Sequence, residues 1–576
     1  MRWIAFFFAI SVSLLLNQAL PPSVTMTNQL AAIVGWGLLL LVPAPLATRP
    51  ALRVLSPLLL ALALIAVECA LSMATGRLPS SPGVAELGLI GLAACVALHG
   101  ASAGQRQAMR FFVPFAGVLA ATGVASAVVA VVQIVAYPHI DSVFVAMPVG
   151  AGRAAGNIGQ ANQFADTIVW GLLALVPLAQ RLNDGRPHAR IMLVAIAFMA
   201  MFDLLGIVLT GSRTGMVALL MLAAWGVFDR SLARHTRIAL ASCPAIAVLM
   251  LWPVHAWLSA LGAELSSLGR DAGGATAYRT DIWRDALVMI REQPWFGAGW
   301  GELNFEWTLT PFANREMGFV DNAHNLPLHL AVEIGLPAAL LVSGLLIWAL
   351  VSAFRRTGRL AGTTGISARA ALVMVSVLGL HSMLEYPLWY AYLLLPTAWA
   401  WGFATGAGAG DASEASPSPS APATIAPWRA WHVLGLLMVV VGASAWLDYL
   451  NIVSLYQPTL NALPFEERIR HAQDSPLFAY HGDYVAVTGL PPTQATLPAV
   501  ERSAHAYLNA RLLYVWANQL EQHGQVDKAR YLAARLREFN LPGPRAWFAP
   551  CDDPAVAAKP FQCLPPDKPL TWRDFR

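Results

Sequence analysis

Charge is what this 576-residue sequence has least of. Asp, Glu, Lys and Arg together make up 12% of it, about half the share usual in soluble domains. Lysine is absent from the first 500 residues, a skew to which we give little functional weight. The formal net charge of +4 is too small to imply a nucleic-acid partner. Cysteine is sparse too, at five residues without metal-ligand spacing. Cys69, Cys95 and Cys243 lie in apolar segments, where they pack as small hydrophobes. Cys551 and Cys563 stand in a polar tail and can pair if that tail meets an oxidising compartment. No Walker loop, dinucleotide fingerprint or nucleophile elbow occurs, which argues against an ATP-driven pump.

What is there is apolar: 57% of the residues are hydrophobic. Runs long enough for the ~30 Å hydrocarbon layer recur along the first 450 positions. About thirteen spans are expected, at 3–20, 28–46, 54–71, 84–98, 111–137, 164–180, 191–209, 215–228, 238–257, 326–353, 370–386, 390–405 and 430–447. The N-terminal segment resembles a signal peptide but lacks a clear cleavage site, and we read it as the first retained span. The fold class is therefore an all-α polytopic membrane protein. One set of alternate loops, with Arg49, Arg53, Arg106, Arg110, Arg186, Arg359 and their neighbours, holds roughly twice as many arginines as the other, which includes Arg270. The positive-inside rule then predicts a cytoplasmic N-terminus and an outward-facing C-terminal tail.

Four regions follow from this pattern. Residues 1–257 carry spans one to nine, and 258–325 form a long outer loop with amphipathic helices. Residues 326–447 carry spans ten to thirteen, with an Ala/Ser/Pro/Gly linker at 406–427 on the inner face. Residues 448–576 form a polar helical domain, in which two amphipathic helices meeting at Gly524 resemble a tetratricopeptide hairpin.

Polar residues cluster on the outer side. GRAAGNIGQANQFAD (152–166) offers amides, among them Gln160 and Asn162, suited to hydroxyl-rich ligands; an amide-capped helix start explains them equally well. LTGSRTG (209–215) holds Arg213 at the membrane boundary, either as a phosphate ligand or as an interface anchor. YRTDIWRDALVMIREQPWFGAGWGELNF (278–305) puts Arg279, Arg284 and Arg291 on an amphipathic helix, which lipid headgroups alone can also explain. VDNAHNLPLHLAVEIG (320–335) sets His324 and Asn325 at a helix N-terminus and His329 and Glu333 on one face within it. A lone boundary histidine is more often structural, and two ligands at i, i+4 make no metal site. HSMLEYPLWY (381–390) adds His381, Glu385, Tyr386 and Tyr390, which serve equally as membrane anchors. Taken together, amides, arginines and one histidine suit a lipid-linked, phosphate-bearing, sugar-containing donor.

SRTG, the arginine–tryptophan helix with its Pro–Gly–Gly turn, and DNAHNLPLHLAVEIGLPAALL resemble the signature of the O-antigen ligase and polymerase superfamily. GNIGQANQFAD and the polar tail are similar to its protein O-oligosaccharyltransferases, the pilin-glycosylating branch. The resemblance covers roughly 150–390 and implies a GT-C-like enzyme of the bacterial inner membrane. It implies transfer of a preassembled glycan from an undecaprenyl-diphosphate carrier to a hydroxyl of a periplasmic protein such as a pilin, without a metal or other cofactor. Carried over, His324 is the base, and Arg213, Arg279 and Arg284 hold the diphosphate. Gln160, Asn162, Asn325, Glu333 and Tyr386 bind glycan or acceptor, or support the site. Ala161 departs from the family, where proline or a basic residue is frequent. Two other readings stay open: a lipopolysaccharide O-antigen ligase or polymerase with the same chemistry, and a transporter of lipid-linked sugars.

Overall fold

The fold comes from a computed structural model that describes all residues except 45, 138, 141–142, 149–151, 184–187, 261, 263–273, 313–314, 316–317, 410–427, 491–495 and 540–543. Arg186, Arg270 and most of the expected 406–427 linker lie outside the described residues. Among the described residues the regular structure is helical. In chain order the first helices are α1 (Arg2–Leu15), α2 (Met26–Leu40), α3 (Arg49–Ala74), α4 (Ser80–Val135) and α5 (Ala161–Gln180). Next come α6 (Ala189–Thr210), α7 (Arg213–Phe228), α8 (Arg234–Ala260), α9 (Gly274–Glu292) and α10 (Leu303–Leu309). They are followed by α11 (Leu326–Thr357), α12 (Gly362–His381), α13 (Ala391–Gly408) and α14 (Trp428–Tyr456). The tail holds α15 (Phe465–Gln473), α16 (Ala479–Gly489), α17 (Leu497–Ala506), α18 (Ala510–Gln522), α19 (Val526–Glu538) and α20 (Arg545–Asp552).

Among the described residues eight helices are long and apolar enough to cross a membrane, and α1, α2 and α7 are shorter apolar helices. The two expected spans 84–98 and 111–137 fall on α4, which is two helices joined across a break at Gln107, whose φ −139° and ψ 33° are not helical. The polar Gln105–Arg106–Gln107 interval between the two apolar runs marks the place where the chain kinks from one helix into the next.

The chain packs as two compact units. The first comprises residues 1–60, 91–270 and 345–446; the second comprises 61–90, 271–344 and 447–576. In the first, α4 and α13 meet through small residues. A Cβ on Gly100 or Gly104 would stand 2.3 or 2.1 Å from the Trp399 or Phe403 carbonyl oxygen. One on Gly406 would stand 2.0 Å from that of Ala101. The GASAG and GFATG runs thus bring two backbones together as small-xxx-small pairs do in lipid, where van der Waals contact replaces the hydrophobic drive. Around this seam the Phe6 ring meets Phe115 and Trp399 edge-on and Phe115 tilts against Trp399, with centroids 4.4–5.4 Å apart.

In the second unit the tail helices pack against α10. Arg315, with no exposed side-chain surface, pairs with Glu538 at 3.2 Å and lies 4.6–5.1 Å from the Trp307, Phe312 and Phe539 rings. The Tyr531 hydroxyl donates to the Leu309 carbonyl at 2.7 Å, and the Leu508 N–H donates to Asn304 at 2.8 Å. The α18–α19 hairpin turns at Gly524 (φ +75°), and Cys551 and Cys563 form a disulfide.

Candidate active site

Each unit carries its own cluster of the expected residues. In the first unit Asn162 ties three segments together. Its Oδ1 accepts from Ser212 Oγ at 2.8 Å and from Arg153 at 3.5 Å, and its Nδ2 donates to Glu385 Oε1 at 3.3 Å. The amide-rich, SRTG and HSMLEYPLWY stretches therefore converge here. Gln160 caps α5, its Oε1 accepting from Gln163 N–H at 2.8 Å, a structural duty for that amide. Tyr386 stacks on Tyr390 at 6.0 Å, Tyr390 neighbours Tyr392 at 5.4 Å, and Tyr392 donates to Gln163 at 2.6 Å.

Ser212 caps α7 by accepting from Gly215 N–H at 3.0 Å, which places Arg213 in the first helical turn. Arg213 is exposed, and among the described residues its guanidinium makes no ion pair or hydrogen bond. A cation that is uncommitted, at a boundary where it is costly unless used, is available to an anionic ligand. The same unit holds a pair that sequence reasoning did not assign: Asp166 and His381, both fully buried, share a short hydrogen bond. Both residues stood in the polar stretches, but 215 positions separate them and nothing local marks them as partners.

In the second unit, His324 is the one non-glycine with a positive φ (+50°) among the described residues. Its N–H donates to Asn322 Oδ1 at 2.8 Å, an Asx turn that holds the left-handed conformation. Trp283 Nε1 clasps the same turn through the Ala323 carbonyl at 2.9 Å, and Tyr278 stands edge-on to the imidazole at 6.1 Å. Asn325 then caps α11, its Oδ1 accepting from Leu328 N–H at 3.1 Å. A strained, over-determined histidine at a helix N-terminus is the kind of outlier that points to function.

The arginines of α9 differ in their commitments. Arg279 is half-buried near the start of the helix. Arg284 is exposed and already paired with Asp281 at 2.7 Å. On the buried face of α9, Asp285 accepts from Trp307 Nε1 at 2.9 Å, and burial pushes its carboxyl above the usual range.

His329 and Glu333 form a buried pair at 3.3 Å. The break at Gly335 (φ +77°) shows what fixes Glu333. Pro337 lacks the N–H that would reach the Glu333 carbonyl, and Leu336 N–H turns to the Pro294 carbonyl at 2.8 Å. The released Val332 and Glu333 carbonyls accept instead from Ala298 and Gly299, each at 2.8 Å. The Pro–Gly–Gly turn is thus the partner strand of a helix break, and Glu333 Oε1 also receives Leu303 N–H at 3.4 Å.

Comparison with known proteins bears on these regions. Residues 196–343 match the family described as O-antigen ligase, and 369–541 match the C-terminal part of the family described as virulence factor membrane-bound polymerase. The first match contains Arg213, Arg279, Arg284, His324, Asn325 and Glu333, while Tyr386 falls in the second. A general O-oligosaccharyltransferase of Acinetobacter baylyi is 28% identical over 255 residues. That similarity covers 42% of this chain and 42% of the relative, so the chain spans well under half of the relative's length.

Proposed function

We propose that the chain, similar over 196–343 and 369–541 to the O-antigen ligase and membrane-bound polymerase families and over 255 residues to an O-oligosaccharyltransferase, transfers a preassembled glycan from undecaprenyl diphosphate to Ser or Thr hydroxyls of a periplasmic, pilin-like protein. The observation that carries the reading is His324, locked in a left-handed turn within the ligase-matched region. An acceptor hydroxyl within hydrogen-bond reach gives its proton to the imidazole, the side chain that most often serves as a general base. The acceptor oxygen forms a bond to the sugar C1 as the bond from C1 to the phosphate oxygen breaks, which inverts C1. Undecaprenyl diphosphate leaves with that electron pair, and the proton on His324 passes to solvent.

Arg213 and Arg279 offset the charge that grows on the diphosphate, the usual work of preorganised cations. Arg284 is the weaker candidate because release of Asp281 must precede ligand binding. Asn162, with Glu385 and Ser212, arranges amide and carboxylate groups suited to sugar hydroxyls, and Gln160 and Tyr386 border them. Asn325 and Glu333 support the reaction by fixing the two ends of the helical segment that follows His324. The donor's glycosyl phosphate is itself the activated bond, so the scheme uses neither metal nor nucleotide. In this reading the membrane is the bacterial inner membrane, with the N-terminus cytoplasmic and the 448–576 tail periplasmic, where it meets the acceptor.

The polymerase-type match at 369–541 favours a second reading, in which the acceptor is a lipid-borne glycan. Reconstitution of the full chain with lipid-linked glycan, offered a pilin-like protein or a lipid A-core acceptor, separates the two. Glycan on the protein supports the first reading, and glycan on lipid A-core alone replaces it.

A further inference from the structure

The kink in α4 borders a hollow of about 960 Å³ that none of the chemistry above uses. Its lining comes from residues 104–110 of α4, the α11–α12 turn and Ala407 of α13, all in the first unit. Arg106, Arg110 and Arg359 stand around it, and no carboxylate lines it. All three arginines are exposed, and among the described residues their guanidiniums form no ion pair and no hydrogen bond.

The kink is held by other side chains. Arg2 donates to Gln107 Oε1 at 3.1 Å, and Gln105 exchanges bonds with Thr48, accepting from its N–H at 3.1 Å and donating to its hydroxyl at 2.6 Å. The break is thus fixed without drawing on the three guanidiniums. The positive-inside rule explains arginines on this side of the chain, but not why three from two separate segments converge on one hollow. Met109, Leu360 and Ala361 add an apolar wall beside the charges.

We propose that this hollow binds the phosphate headgroup of an anionic phospholipid, with Arg106, Arg110 and Arg359 on the phosphate oxygens and the apolar wall against the glycerol. Basic pockets between membrane helices take such headgroups, and arginine matches phosphate in bidentate fashion. The site is independent of glycan transfer.

The test uses the purified full chain in nanodiscs of phosphatidylcholine with a minor share of diphosphatidylglycerol, with retained lipid measured by mass spectrometry. The triple variant Arg106→Gln/Arg110→Gln/Arg359→Gln is compared with Arg49→Gln/Arg53→Gln/Arg355→Gln, which removes equal charge from exposed arginines outside the hollow. At about fivefold per guanidinium, the pocket triple weakens diphosphatidylglycerol binding on the order of 100-fold. The outside triple stays within about threefold of wild type. If the pocket triple does not fold, Arg106→Gln and Arg359→Gln singly are expected to weaken binding about fivefold each. Equal loss in both triples overturns the proposal in favour of diffuse surface charge. Pocket-dependent binding of free pyrophosphate without lipid enrichment overturns it in favour of a soluble ligand.

Discussion

The Asx turn under His324 gives a perturbation whose size follows from the structure. Asn322→Ala removes the oxygen that accepts His324 N–H at 2.8 Å from a side chain only 4% exposed. A net hydrogen bond contributes about 0.5–1.5 kcal/mol, and a buried donor left without a partner costs about 1–3 kcal/mol. The imidazole residue is only half-buried, so water recovers part of that cost. A left-handed conformation already costs a non-glycine residue about 1–2 kcal/mol, and without Asn322 little opposes relaxation to negative φ. The turn is then disfavoured by about 1–2.5 kcal/mol, which lowers the competent fraction about 5- to 70-fold. The assay is the rate of glycan transfer in reconstituted vesicles at saturating donor. Asn322→Ala should lower kcat by that factor, with the donor KM within about twofold, and Asn322→Asp, which keeps the acceptor oxygen, should restore most of the rate. A wild-type rate for Asn322→Ala, or equal losses in both variants, refutes the assignment of this turn as the device that presents the base.

Four further outcomes follow from other contacts. Gly297→Ala puts a Cβ 2.5 Å from the Glu333 carbonyl at a φ of +62°, so the α11 clasp should open at a cost of about 2–4 kcal/mol, read as faster hydrogen exchange at Ala298 and Gly299. Arg213→Ala should slow transfer at least tenfold, whereas Arg284→Ala, which removes an exposed ion pair, should change it less than threefold in the same assay. Burial of Glu306 pushes its carboxyl up to about 8; a raised acid folds best while protonated, so unit stability should fall as pH rises from about 4.5 to 8, and Glu306→Gln should flatten that slope in thermal melts. Reduction of the Cys551–Cys563 bond, which closes a 12-residue separation, should cost the tail about 2–3 kcal/mol, seen as faster proteolysis near α20.

What the sequence could disclose depended on how local the cause was. The start of α11 is legible because Asn325 is a good cap and Pro327 suits the first turn, and the helix begins at Leu326. The α18–α19 hairpin is legible because amphipathic periodicity stops at Gly524. The α4 kink is legible as the polar Gln105–Arg106–Gln107 gap between two apolar runs, whereas the contacts from Arg2 and Thr48 that hold it are distant in sequence. The break in α11 was in principle readable from Gly335 and Pro337, but its partner turn lies some forty positions upstream, and the pairing is a tertiary fact. His324 is singled out by residue type and position, whereas its left-handed turn rests on a bond from its own N–H to Asn322 that periodicity does not register. The Asp166–His381 pair lay furthest out of reach, because burial and partnership over 215 residues leave no local trace.

The account rests most heavily on His324 as the base. The direct measurement is a single-turnover transfer of lipid-linked glycan to a pilin-like acceptor by reconstituted wild type and His324→Ala, matched for melting temperature. The expected result is a loss of at least 100-fold for the variant, with donor still bound. Transfer by His324→Ala at the wild-type rate would contradict it.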